Sequence, residues 1–74
     1  MAFNYAKLRG KVREVFGTQK AFADALGISS VSLSKKLNNM VEFTQEEINR
    51  SCELLHIATG EIPVYFFTVK VKLP

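Results

Sequence analysis

Apolar residues along most of this chain recur at helical spacing, interrupted by short polar or glycine-containing breaks. Tyr5, Leu8, Val12, Val15 and Phe16 share one helical face; Asn4 before them suits an N-cap and Gly17 after them a left-handed stop. Thr18 can cap a second, short helix from Gln19 to Leu26 with Phe22, Ala23 and Leu26 on its buried side, closed by Gly27. Ser29 or Ser30 caps a third, in which Leu33 and Leu37 lie four residues apart and Asn38-Asn39 marks the end. Thr44 and Glu47 stand at the two positions of a capping box, which predicts a fourth helix burying Ile48, Cys52 and Leu55. Pro63 is tolerated only in a first turn, so the stretch from Thr59 predicts no more than a short fifth helix.

The period then changes. Phe67, Val69, Val71 and Leu73 alternate with Thr68, Lys70 and Lys72, the two-residue repeat of a strand with one apolar face. The expected fold class is therefore all-α: a compact bundle of four to five short helices over residues 1–66, with a short C-terminal strand or extended tail over 67–74. With 74 residues and no repeat, linker or low-complexity tract, one domain over 1–74 is expected.

Within that bundle the segment from Gln19 to Asn38 has the layout of a helix-turn-helix: two short helices joined by a tight turn containing Gly27, with Ala23 where the helices approach most closely. Phe22, Leu26, Ile28 and Leu33 point inward in this layout. Ser29, Ser30, Val31, Ser32, Ser34, Lys35 and Lys36 remain outward, short donors and cations of the kind that reach base edges and phosphates, with Val31 placed for a thymine methyl.

Charge sharpens the picture, because the formal net charge of +3 hides an uneven distribution. Residues 1–36 hold seven Lys/Arg against two Asp/Glu, a balance of +5; residues 37–67 hold one against five, or −4; Lys70 and Lys72 add +2. A basic pole of this kind seeks phosphate, and the opposite pole is acidic.

The run Gln19-Lys-Ala-Phe-Ala-Asp-Ala-Leu-Gly27-Ile-Ser-Ser-Val-Ser-Leu33-Ser-Lys-Lys-Leu-Asn38 resembles the helix-turn-helix of lambda-repressor-like proteins. The opening Asn-Tyr-Ala-Lys-Leu-Arg-Gly and the closing Tyr65-Phe66-Phe67 extend the likeness to short Cro-like and repressor proteins of temperate phages of Gram-positive bacteria. The resemblance implies a sequence-specific transcriptional regulator that reads an inverted-repeat operator in the major groove with its third helix. It implies DNA contacts from Gln19, Lys20, Ser29, Ser30, Val31, Ser34 and Lys35, and backbone contacts from Asn38 and Asn39. Many relatives keep an apolar residue three after the Leu33 position, where this chain has Lys36, so the division of labour between Lys35 and Lys36 is left open by the resemblance.

Catalysis is not expected. Cys52 falls on a predicted buried stripe, His56 at a helix end and Glu46-Glu47 in a first helical turn, and each place explains its residue without chemistry. One His and one Cys supply too few ligands for zinc, and no Gly-rich phosphate loop occurs, so neither metal nor cofactor nor small-molecule substrate is expected. A single cysteine forms no intrachain disulfide, and no apolar run approaches the length of a membrane span; a cytoplasmic protein without a membrane partner is the expectation.

The expected partners are double-stranded operator DNA and a second copy of the chain, with Phe67, Val69 and Val71 pairing across a two-fold axis. The alternative is an interaction module or antirepressor that binds another regulator through its apolar C-terminal tail. That tail, taken alone, is an exposed apolar edge of the kind monomers avoid.

Overall fold

Helices form where the apolar period and the cap residues call for them. The computed structural model describes residues 2–70 and contains α1 (Ala6–Phe16), α2 (Gln19–Leu26), α3 (Ser30–Leu37), α4 (Gln45–Leu55) and α5 (Ile62–Phe66), with a 3₁₀ turn at Thr59–Glu61 leading into α5. The all-α bundle expected from the pattern is the architecture observed.

The local chemistry of each boundary is legible. Gly17 ends α1 at φ 82°, and Thr18 caps α2 by accepting the Ala21 N–H at 3.1 Å. Gly27 closes α2 in the left-handed region, where its N–H and that of Ile28 both return to the Ala23 carbonyl. Of the two candidate serines Ser29 is the cap of α3, its hydroxyl accepting the Ser32 N–H at 3.0 Å. The capping box of α4 is complete in both directions, Thr44 with Glu47. Pro63 lies in the first turn of α5, the one place in a helix where its missing N–H costs nothing.

One boundary differs by a residue. Tyr5, not Asn4, occupies the cap position of α1, because the Asn4 N–H is drawn to the Thr68 carbonyl at 2.6 Å and holds the chain extended. Asn4 still contributes: its Oδ1 accepts the Ala6 N–H at 2.9 Å. At the end of α3 the left-handed residue is Asn39, at φ 62°, while Asn38 keeps a negative φ.

Leu8, Phe22, Ala23, Leu33 and Leu55 are fully enclosed, joined by Val12, Leu26, Leu37, Cys52, Ile57 and Phe66 in one core. α2 lies at its centre, packed on α1, α3 and α4, and α5 closes against α1. Ser51, also enclosed, donates to the Glu47 carbonyl one turn back at 2.7 Å, which satisfies its hydroxyl inside the core.

The alternating tail does not build a strand over the described residues. It makes one antiparallel bridge, Val69 opposite Phe3, bounded by bonds from Asn4 N to Thr68 O and from Lys70 N to Ala2 O. The reason is geometric: only Ala2 to Asn4 are extended before α1 begins, so the tail finds a partner one bridge long. The tail thus packs back on its own chain through Val69, and Val71 and Leu73 lie outside the described residues. No helix of the described residues is long and apolar enough to cross a membrane.

Candidate functional site

The helix-turn-helix is built as its sequence implies, and it presents a serine-rich outer face. Phe22, Ala23, Leu26 and Leu33 lock α2 against α3, with Ile28 half-buried in the turn. Ser29, Ser30, Val31, Ser34 and Lys35 are exposed on α3, and Lys20 is exposed on α2, where it pairs with Asp24 at 3.2 Å; Gln19 is half-buried. Most of these groups carry local bonds. Ser29 meets Ser32, and Asn38 donates to the Ser34 carbonyl at 2.8 Å while its Oδ1 accepts from Arg9, whose Nη2 also reaches the Leu37 carbonyl.

The C-terminal end of α3 departs from the outward placement of Lys36. Its side chain turns inward and is 9% exposed, with Nζ 2.9 Å from Glu47 Oε1, 3.1 Å from the Glu42 carbonyl and 5.9 Å from the centre of the Phe43 ring. Leu33 and Leu37 fix the rotation of α3, and Lys36 follows them onto the side facing α4, so Lys35 alone of the two lysines remains outside. Burial would raise the Glu47 carboxyl; the Thr44 N–H and the Lys36 ammonium outweigh it and hold the group below its ordinary 4.5.

Asn39 is likewise engaged. Its amide donates to the Phe3 carbonyl at 2.9 Å and accepts the Phe3 N–H at 2.8 Å, a two-bond clamp across 36 residues of chain. Thus the left-handed residue after α3 fixes the N-terminal segment, which in turn holds the tail through the Phe3–Val69 bridge.

This clamp organises a second surface. Phe3 stands edge to face with Phe67 at 5.9 Å and lies 6.2 Å from Tyr5; Tyr5 meets Phe43 at 5.4 Å, and Phe43 meets Phe66 at 5.4 Å. The rings surround a cavity of about 200 Å³, completed by Ile48 and Glu42. A second depression, of about 240 Å³, shares Phe3, Tyr5 and Glu42 with it and adds Asn39, Met40 and Val41. Met40 is 71% exposed, and Val41, Phe67 and Val69 are each close to half exposed, so large apolar groups crowd both openings. The Tyr5 hydroxyl is pushed up by burial first and by the Glu42 charge second.

The sequence pattern brings Phe67 and Val69 to this surface but does not single out Phe3, Met40, Val41 or Phe43. One signal was available: Met40 and Val41 form an apolar pair in a loop between the end of α3 and the capping box, where no helix needs them for its core. Phe3 carries no such mark, since its place depends on a hydrogen-bond clamp from Asn39.

Among solved structures the chain is similar to the modulator of repression of the temperate bacteriophage TP901-1 from Lactococcus lactis, with 40% identity, 97% of each chain covered and a TM-score of 0.80. No curated protein matches the chain. The likeness to a modulator of repression corrects the sequence-based expectation of a Cro-like, operator-reading repressor, and with it the operator DNA and second copy expected as partners. The physical reason is twofold: Phe22, Ala23, Gly27 and Leu33 serve the packing of α2 on α3 and say nothing of what the outer face touches, and on that face Ser29 and Ser34 are engaged locally by Ser32 and Asn38. In place of the lambda-repressor-like family suggested by those positions, the family described as "Protein of unknown function (DUF739)" matches residues 1–69, and the chain belongs to it.

Proposed function

We propose that the chain is a non-catalytic modulator of repression, which acts by binding a repressor protein through the aromatic surface around Phe3, Met40, Val41 and Phe67. The observation that carries this reading is the 40% identity, over 97% of both chains, to a phage modulator of repression. The surface supports it independently. A protein of this size covers apolar groups where it can, and here Met40, Val41, Phe67 and Val69 remain open beside two depressions, as at the centre of a protein–protein contact. Cys52 supports the non-catalytic part: burial raises its thiol, which keeps it protonated and inert in the core.

The test uses a purified repressor encoded in the same genome, bound to its fluorescently labelled operator and followed by anisotropy as the chain is added. Operator occupancy is expected to fall, and the chain alone is expected to leave the labelled operator unchanged. Phe67→Ala and Met40→Ser should each lose the effect while keeping the helical circular-dichroism spectrum of the parent, with Met40→Ser also melting at the parent's temperature. A chain that binds the operator itself and leaves the repressor in place would sink the proposal.

A further inference from the structure

The aromatic surface carries one charged group whose use the fold does not explain. The Glu42 carbonyl is taken by Lys36, but the Glu42 carboxylate makes no hydrogen bond or ion pair with any described residue. It belongs to the walls of both depressions, so it stands between the ring-lined cavity and the opening beside Met40. The neighbouring acid Glu47 is already neutralised by Lys36, and Lys36 is turned into the protein, so no described cation answers Glu42. Glu42 is exposed to water, and it stands at the edge of the ring-lined cavity rather than on an open polar face.

Resting on the reading of the chain as a repressor-binding modulator, we infer that this pocket holds an arginine side chain of the repressor, its guanidinium laid against the rings and paired with the Glu42 carboxylate. Three features select that group. The cavity, at about 200 Å³, is below the roughly 300–1,000 Å³ of small-molecule sites and suits one side chain. Its walls include five aromatic rings, Phe3, Tyr5, Phe43, Phe66 and Phe67, and aromatic rings attract a cation and stack best with a planar one. Its single charge is negative, and it lies in the part of the chain, residues 37–67, whose balance is −4. A repressor can supply the complementary group, since exposed arginines are common among the residues that hold operator phosphates and read guanine edges.

The direct test titrates the full-length chain with acetyl-arginine methylamide and, separately, with the neutral isostere acetyl-citrulline methylamide, following aromatic and amide resonances by NMR. Saturable shifts at Phe3, Tyr5 and Phe67 are expected with arginine, with a dissociation constant on the order of millimolar. Citrulline should leave them unsaturated, and Glu42→Gln, which touches no internal bond of the Glu42 side chain, should abolish the difference between the two probes. Equal responses to arginine and citrulline, or an arginine response that survives in Glu42→Gln, overturn the inference. In the repressor assay Glu42→Gln should weaken the effect about tenfold, and less so as salt is raised. If Phe67→Ala loses repressor binding while Glu42→Gln keeps it, the interaction surface stands and the arginine pairing falls. If the parent chain never engages a repressor, the proposed function falls, and the arginine assignment falls with it as a statement about the partner.

Discussion

Replacing Lys36 by methionine tests the inward turn of α3 most directly. Methionine keeps the length and apolar stem that lie over Phe43 and removes only the ammonium, with its bonds to Glu47 at 2.9 Å and to the Glu42 carbonyl at 3.1 Å. A charge-assisted hydrogen bond contributes about 1.5–3 kcal/mol, which sets an upper bound of about 6 for the two. Two features reduce the loss. Glu47 retains the Thr44 N–H, and its side chain is still 19% exposed, so water can solvate it in the variant. We expect a net destabilisation of about 2–3 kcal/mol at pH 7, or roughly 10–20 °C in Tm for a domain of this size. The pH dependence carries the sharper signature. Glu47 is held below 4.5 when folded, so the unfolded chain takes up its proton first as pH falls. The stability this carboxylate contributes is complete above 4.5 and lost as pH drops through the lower folded value. Lys36→Met removes part of that shift, so the gap between parent and variant should be widest at pH 7 and narrow below pH 4.5. Urea unfolding monitored by circular dichroism at pH 7 and at acid pH measures both. A variant as stable as the parent at pH 7, or a gap that does not shrink with acid, would refute the buried ion pair; an outward Lys36 predicts both.

Three further outcomes follow from the same geometry. Gly27→Ala places a Cβ at φ 84° with open space around it, so the cost is purely conformational, about 1 kcal/mol by denaturant titration with the fold retained. Asn39→Gly keeps the positive φ but releases Phe3; it should cost about 1–2 kcal/mol and speed hydrogen exchange at the Phe3 amide, while exchange in α2 changes only in step with global stability. Cys52 should react with a thiol reagent only slowly at pH 8 in the native protein and rapidly in denaturant, because burial both shields the thiol and raises it; fast native labelling would contradict its place in the core.

The helices were legible because their signals are local. Gly17, Thr18, Gly27, Ser29 and the Thr44–Glu47 box each act within one turn of their own position, and each is found where its chemistry places it. What escaped sequence reasoning is long-range. The direction of Lys36 depends on Glu47 arriving from α4, and a lysine beside a leucine at the end of a short helix gives no sign of that partner. The tail shows the same limit from the other side. Alternation predicts a strand, but a strand also needs a neighbour of matching length, and Ala2 to Asn4 offer three residues. Phe3 is the clearest case: it reaches the candidate surface through Asn39, and nothing within ten residues of either announces the clamp.

The function was harder to see than the fold for a related reason. The residues that make α2–turn–α3 recognisable are those that any such pair must have: a small residue at the closest approach, a left-handed glycine in the turn, and apolar side chains between the helices. They constrain the backbone and leave the occupant of the surface free. The outward serines of α3 are weak evidence for a ligand, because a serine can satisfy itself locally, as Ser29 does with Ser32 and Ser34 with Asn38. Exposed apolar groups are stronger evidence, since they have no such local satisfaction and retain a driving force toward a partner. In this chain Val31 is one such group on the serine face itself, but Met40, Val41, Phe67 and Val69 lie together past the C-terminal end of α3, roughly 12 Å along the helix from the serine cap. The same α3 thus begins in the residues on which the DNA-reading expectation rested and ends in the Asn39 clamp and the aromatic surface. Under the proposed reading, the chain keeps the α2–turn–α3 shape while presenting the other end of that helix to a protein partner.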